Sequence, residues 1–164
     1  MVIDFHTHIF PEKVAAKAMQ VLVRNCGLPP FYDGTKAGLD AQTDAAGIDL
    51  AVNLPIVTSP DSAASINQFA AKLNQQNKRI LSFGGLHPRD PHFLQVIDQI
   101  TALGLKGIKM HPDYQDFFVD DERVFPVYEA IFAKGLILSF HSGYDIGLPE
   151  PVHCTPKRLA RVLD

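Results

Sequence analysis

Residues 2–10 read VIDFHTHIF. The run is short and mainly apolar, as in a buried strand, yet Asp4, His6 and His8 interrupt it at every second position. Successive strand side chains point to opposite faces. The three polar residues therefore share one face, while Ile3, Phe5 and Ile9 share the other. Buried polar groups are costly unless something pairs with them, so the polar face asks for a ligand.

Four more strand-like runs follow: DLAVNLPIV (49–57), RILSFGGLHP (79–88), LKGIKMHP (105–112) and GLILSFHSG (135–143). Segments with helical spacing lie around them, at 11–25, 59–77, 90–104, 121–135 and 155–164. Pro11 suits a first helical turn, and Gly104 and Gly135 are helix-stop signals. Thr155 is an N-cap candidate. The stretch GLPPFYDGT (27–35) carries Pro-Pro and Asp-Gly turn chemistry and reads as a loop. Strands alternating with helices predict a parallel sheet built from right-handed crossovers. With five βα units and no linker or low-complexity segment, residues 1–164 read as a single domain.

Five of the seven histidines, His6, His8, His87, His111 and His141, fall at or near the C-terminal ends of these strands. That edge of a parallel α/β sheet is where ligands bind. His92 and His153 fall in helix or loop positions and receive no role. Lys109 and His111 share a face opposite Ile108 and Met110. Ser139 and His141 share a face opposite Leu138 and Phe140. Two histidines at i and i+2 can offer two imidazole nitrogens to one metal ion, and His141 is the best third ligand. An open position would remain for water, whose pKa the metal lowers. Asp4, one step deeper, could hold an imidazole N–H as an outer carboxylate.

Each position also has a structural reading. His-x-His alone can be a solvated pair on a half-exposed strand, and His141 a satisfied strand-end histidine. Lys109 inside a strand either snorkels, contacts a substrate anion or, if carbamylated, bridges metals; substrate contact ranks above bridging. His87 and His111 both precede proline and are either loop histidines or residues of the pocket rim. Asp113 and Tyr114 open an acidic loop that reaches toward the mouth. Cys154 reads as a loop thiol, and Gly84-Gly85 is too short for a phosphate loop.

Composition excludes other classes. Apolar residues make up 46% and charged residues 20%, which is globular rather than disordered. A net charge of −3 recruits neither nucleic acid nor an anionic membrane. No apolar run has the length of a membrane span, and the N-terminus lacks a secretory pattern. Two distant cysteines make no disulfide framework, and a cytoplasmic setting is expected.

The ordered set IDFHTHIFP, GLHP, GIKMHPDYQDFFVDD and FHSG resembles the amidohydrolase superfamily, in its amidohydrolase-related branch of metal-dependent hydrolases and decarboxylases. The resemblance runs over essentially the whole chain. It implies a (β/α)₈ barrel of the TIM type with a divalent metal, commonly zinc, at the strand C-termini. His6 and His8 would take the first-strand ligand positions and His141 the fifth-strand position. The family's sixth-strand histidine and late aspartate have no counterpart before Asp164. A complete barrel takes roughly 250 residues, so the chain reads as an incomplete barrel of about five units out of eight, the N-terminal portion.

Three function classes follow. The first is an enzyme that hydrolyses an amide, ester or lactone-like bond of a small molecule, with Lys109 or His111 stabilising negative charge and His87, Asp113 and Tyr114 contacting substrate. Its close variant is a decarboxylase of a small carboxylic acid. The second is a truncated, non-catalytic metal-binding fragment. The third, a histidine-rich phosphoesterase, fits the later motifs less well. Open barrel edges predict self-association or completion by a missing C-terminal segment.

Overall fold

Six short strands, all parallel, carry the expected alternation in the computed structural model, which describes residues 1–164. They are β1 (Ile3–Thr7), β2 (Leu50–Asn53), β3 (Ile80–Ser82), β4 (Gly84–Gly85), β5 (Gly107–Met110) and β6 (Ile137–Phe140). The helices are α1 (Glu12–Cys26), α2 (Lys36–Ala46), α3 (Ala63–Gln76), α4 (Phe93–Ala102), α5 (Phe125–Ala133) and α6 (Pro156–Leu163). Strands pair in the orders β1-β2-β3 and β4-β5-β6. Only Phe83 separates β3 from β4, so the six strands occupy five positions of an incomplete (β/α) barrel. β1 and β6 are its edges. No helix is long and apolar enough to cross a membrane.

The single third strand expected at 79–88 is thus two strands with different partners. Side chains of α3 explain the break. Asn74 both receives the Ser82 N–H, at 2.6 Å, and donates to the Ser82 carbonyl, at 2.9 Å. Asn67 treats Gly85 the same way, at 2.8 and 3.0 Å. Those backbone groups bond to helix side chains. The Phe83 ring between them is buried with Val52 and Leu54. It lies against Gly107, where a Cβ would collide with the ring.

A second difference is α2, where no helix was expected. Thr35 caps it, accepting the Gly38 N–H at 3.0 Å, and Gly47 ends it in the left-handed conformation that glycine adopts freely. Only Leu39 and Thr43 of α2 are buried. So sparse an apolar stripe leaves little helical periodicity to read.

Most of the core lies between the strands and the outer helices. Ile108 and Met110 of β5 join Val96, Ile97 and Ile100 of α4 and Val127 and Ile131 of α5, with Leu138 and Phe140 of β6 packed against them. The alternation read for β5 and β6 therefore holds. On β1 it does not. The register slips between Asp4 and Thr7, which pair with Ala51 and Asn53, so three steps on β1 match two on β2. Such a bulge reverses which face follows. Thr7 becomes buried, donating its hydroxyl to the Val52 carbonyl at 2.9 Å. Phe5 is 51% exposed and meets Phe83 edge-on. Ile3 and Phe5 are thus not covered by helices as the strict alternation implied; of that set only Ile9 is buried, beside Leu39 of α2.

Candidate metal centre

The strand ends are fixed by buried amides before any histidine is considered. Asn53 accepts the Ile9 N–H and donates to the Ser82 hydroxyl, both at 2.8 Å. Gln115 accepts the His111 N–H at 2.8 Å and donates to the carbonyls of Val57 and Leu86 at 2.7 and 2.8 Å. One side chain thereby ties together the segments after β2, β4 and β5. Sequence reading passed over Asn53, Asn67 and Gln115. A glutamine four residues beyond a strand-end histidine carries no periodic signal.

On this frame the first strand presents His6 and His8, with ring centroids 4.9 Å apart. The His8 Nδ1 lies 2.8 Å from the Leu54 carbonyl. A carbonyl only accepts, so Nδ1 carries the proton and Nε2 keeps a lone pair. Tyr32, from the loop at 27–35, bonds the His8 backbone from the other side, donating to its carbonyl at 2.6 Å. Asp4 receives the backbone N–H of His6, at 3.0 Å, rather than an imidazole N–H.

From β5 comes Lys109, 0% exposed, with no hydrogen-bond partner on Nζ. Burial brings its pKa down to about 8. Burial also brings His8 down to about 4, helped by His6 and Lys109. His111 falls to about 3 through burial, then the neighbouring His141 and Lys109. His6 and His141 are lowered too, first by burial; Lys109 and His141 act on His6, while Asp145 opposes the shift at His141. The four lowered imidazoles are neutral and Lys109 is a buried ammonium without a partner. His6 and His8 lie together at the exposed β1 edge, and His111 and His141 together after β5 and β6.

One set of donor atoms, those of His111, His141 and Asp145, lies within 4.8 Å of one another; the expected trio of His6, His8 and His141 is not drawn together at that distance. The His111 and His141 rings stack at 4.1 Å. Tyr114 packs edge-on to His111 at 4.6 Å. Asp145 was not singled out from the sequence. Its only signal is position, four residues after His141 in the loop that follows a strand.

The remaining candidates sit at the periphery. His87 is buried, its Nδ1 accepting the Arg89 N–H at 3.2 Å. Burial and then Arg89 lower its pKa. Asp113 accepts both the backbone and the ring N–H of His153, at 3.0 and 2.9 Å. Against burial, which works the other way, those bonds hold Asp113 below the usual carboxylate range. His153, to which no role was assigned, therefore anchors the acidic loop. A cavity of about 520 Å³ borders this loop, with Arg89, Asp116, Phe118, Arg123 and His153 in its wall and none of His6, His8 and His141. Its charges are already paired, Arg89 with Asp116 and Arg123 with Asp121.

These residues fit a metal. His8 is held with Nε2 free, and the His141 Nε2 is buried without a hydrogen-bond partner, as an atom awaiting a cation would be. Imidazoles with a carboxylate suit divalent zinc, manganese or iron.

A family model described as amidohydrolase matches residues 3–161. A solved 5-carboxyvanillate decarboxylase from Novosphingobium aromaticivorans, with manganese and 3-methoxy-4-hydroxy-5-nitrobenzoic acid bound, superposes with a TM-score of 0.65 at 19% identity. It is covered over 51% of its length by 87% of this chain. An amidohydrolase II structure gives 0.64 at 19% identity, over 93% of this chain and 54% of that one. A Staphylococcus aureus structure described as an amidohydrolase gives 0.62 at 15%, over 87% and 47%. The chain thus spans about half the length of the solved structures it matches, and at these identities the likeness concerns the fold. No curated protein matches it in sequence.

Proposed function

The chain belongs to the amidohydrolase family, and from that premise we propose that it carries the metal site of an enzyme hydrolysing an amide, ester or lactone-like bond in a small molecule. The observation behind this is the buried, unpartnered Nε2 of His141, with the His111 ring stacked on it and Asp145 beside it. The proposed ligands are His6, His8 and His141, and zinc is the proposed ion. A divalent ion there supplies a Lewis acid and lowers the pKa of water.

The chain's own residues do the rest. Lys109 places a cation in a space from which burial excludes water, where it stabilises an oxyanion more strongly than it would in solution. The His111 Nδ1 accepts the Tyr114 N–H at 3.3 Å. The proton of the neutral ring therefore sits on Nε2, a donor facing the same space. Tyr114, His87 and Asp113 border the substrate in this reading. Asp4 supports the site through the His6 backbone.

Decarboxylation of a small carboxylic acid is the second reading. Its support is Lys109, a buried ammonium without an acid partner, which suits a substrate carboxylate. One structural neighbour is itself a decarboxylase. Product analysis separates the two readings. Zinc- or manganese-loaded protein is offered small esters, lactones, amides and carboxylic acids, and acid release is followed beside CO₂ release. His8→Ala is expected to lower turnover by about two orders of magnitude or more. Turnover that survives both chelation and His8→Ala contradicts the metal reading. Metal bound stoichiometrically with no product from any class favours the non-catalytic alternative.

We also propose a cytoplasmic setting, in keeping with Cys26 and Cys154 being free. The edges β1 and β6 expose Ile3, Phe5 and Ile137, and unpaired apolar edges invite pairing. A second copy of the chain, or further strands, would close the barrel. Sedimentation showing a monodisperse monomer at tens of micromolar would rule out self-association of this chain.

A further inference from the structure

Building on the metal site proposed above, we infer that Asp145 is a ligand of the same ion and that His111 holds its carboxylate in position. Asp145 lies in the loop after β6, four residues beyond His141. Its Oδ1 accepts the Gly147 N–H at 2.8 Å. That bond fixes the plane of the carboxylate and leaves Oδ2 directed at the two stacked rings. Oδ2 stands 3.9 Å from the His141 Nε2 and 3.2 Å from the His111 Nε2.

The two distances mean different things. At 3.9 Å no hydrogen bond forms, and the His141 nitrogen is buried without another partner. Two donors bound to one ion at about 2.0 to 2.2 Å stand roughly 3 to 4 Å apart. The His141–Asp145 separation is that of two ligands waiting for an ion. His111 differs because its Nδ1 is occupied by the Tyr114 N–H. Its Nε2 bears the proton and stands 3.2 Å from Oδ2, close enough to attract the carboxylate. A carboxylate oxygen has lone pairs for both an N–H and a metal. His111 is therefore a positioning residue. Its parallel stacking on His141, within 10°, keeps the two nitrogens on the same side. The consequence is a carboxylate ligand supplied from within residues 1–164, by the loop that follows His141, where the family resemblance expects only a late aspartate without counterpart before Asp164.

Metal affinity and spectroscopy test this without reference to turnover. Metal-stripped protein is titrated with Co²⁺, followed by its visible absorption, and zinc affinity is measured against a chromogenic chelator. Asp145→Asn is expected to weaken both affinities about 10- to 100-fold and to change the Co²⁺ absorption envelope. Asp145→Glu keeps a carboxylate and is expected to recover most of the affinity with a shifted envelope. His111→Gln, which retains an N–H donor, is expected to cost only a few fold. Circular dichroism of each variant checks that it is folded. If Asp145→Asn binds Co²⁺ with the affinity and spectrum of the parent while His8→Ala binds none, Asp145 is not a ligand and the three-histidine site stands. If the parent and His8→Ala behave alike, the metal site falls and this inference with it.

Discussion

Within β5, Ile108 and Met110 are sealed beneath α4 and α5, while Lys109 between them ends in an ammonium that nothing neutralises. The same division runs through β6, where Leu138 and Phe140 pack on the core and Ser139 continues toward His141 on the other face. One face of these strands is chosen for cohesion. The other is populated with groups that cost stability, and the proposed site is built on it. On β1 the contrast is weaker: the bulge turns Phe5 away from the helices, and His6 stands at an open edge. Stability should therefore be concentrated on the helix-covered face of β5, and chemistry on the face opposite.

The sharpest way to break this contrast is at Met110 and Phe5. Met110 is 0% exposed within the largest core cluster. Met110→Ala should destabilise the protein by about 2 to 5 kcal/mol through lost contacts and the cavity left behind. Phe5→Ala, at a half-exposed ring with Phe83 as its aromatic neighbour, should cost roughly 1 kcal/mol. Urea unfolding of both variants checks the order. Equal losses would mean that the open face contributes as much to cohesion as the covered one.

Lys109 provides the opposite sign. Lys109→Met removes a buried, unpartnered ammonium and keeps its apolar stem. It should raise stability by on the order of 1 to 3 kcal/mol while lowering turnover by about 100- to 1000-fold, the range seen when one charge-stabilising group is removed. A variant that is both less stable and fully active would show that Lys109 serves packing rather than chemistry.

How much of this was legible in the residues follows from what periodicity can encode. Period-two alternation located Lys109, His111 and His141 on the inner face because β5 and β6 are regular. It failed at Asp4 and Phe5, since a bulge is set by pairing with β2 and leaves no mark in the apolar pattern. It also missed α2, whose buried side is only Leu39 and Thr43. The division of 79–88 into two strands depends on Asn67 and Asn74, polar residues on a helix that reads as amphipathic without them. Asp145 and Gln115 lie in loops, where neighbours in space are unrelated to spacing in sequence. The proposed ligand histidines were legible because they are anchored to strands.

The smallest effect per step concerns pH, and it asks whether the two ends of the site share one buried environment. His8 and His111 titrate near 4 and 3 in the folded protein, against 6.5 for an unperturbed histidine. Below 6.5 the unfolded chain binds protons that the native state refuses. Stability is then fully present above that value and falls as pH drops toward 4, by up to about 1.4 kcal/mol per pH unit for each proton. Lys109 acts at the alkaline end. Between 8 and 10.5 the unfolded chain holds a proton that the native lysine has released, so stability rises across that window. Metal-free protein, kept in chelator, should accordingly show a lower urea midpoint at pH 5 than at pH 7 and a higher one at pH 10. His111→Gln should flatten part of the acid limb, to which His6, His8, His87 and His141 also contribute. Lys109→Met should remove the alkaline rise and soften the acid limb, since Lys109 helps lower the neighbouring histidines. An acid limb unchanged in His111→Gln would assign it to other groups and separate the β5 end of the site from the β1 end.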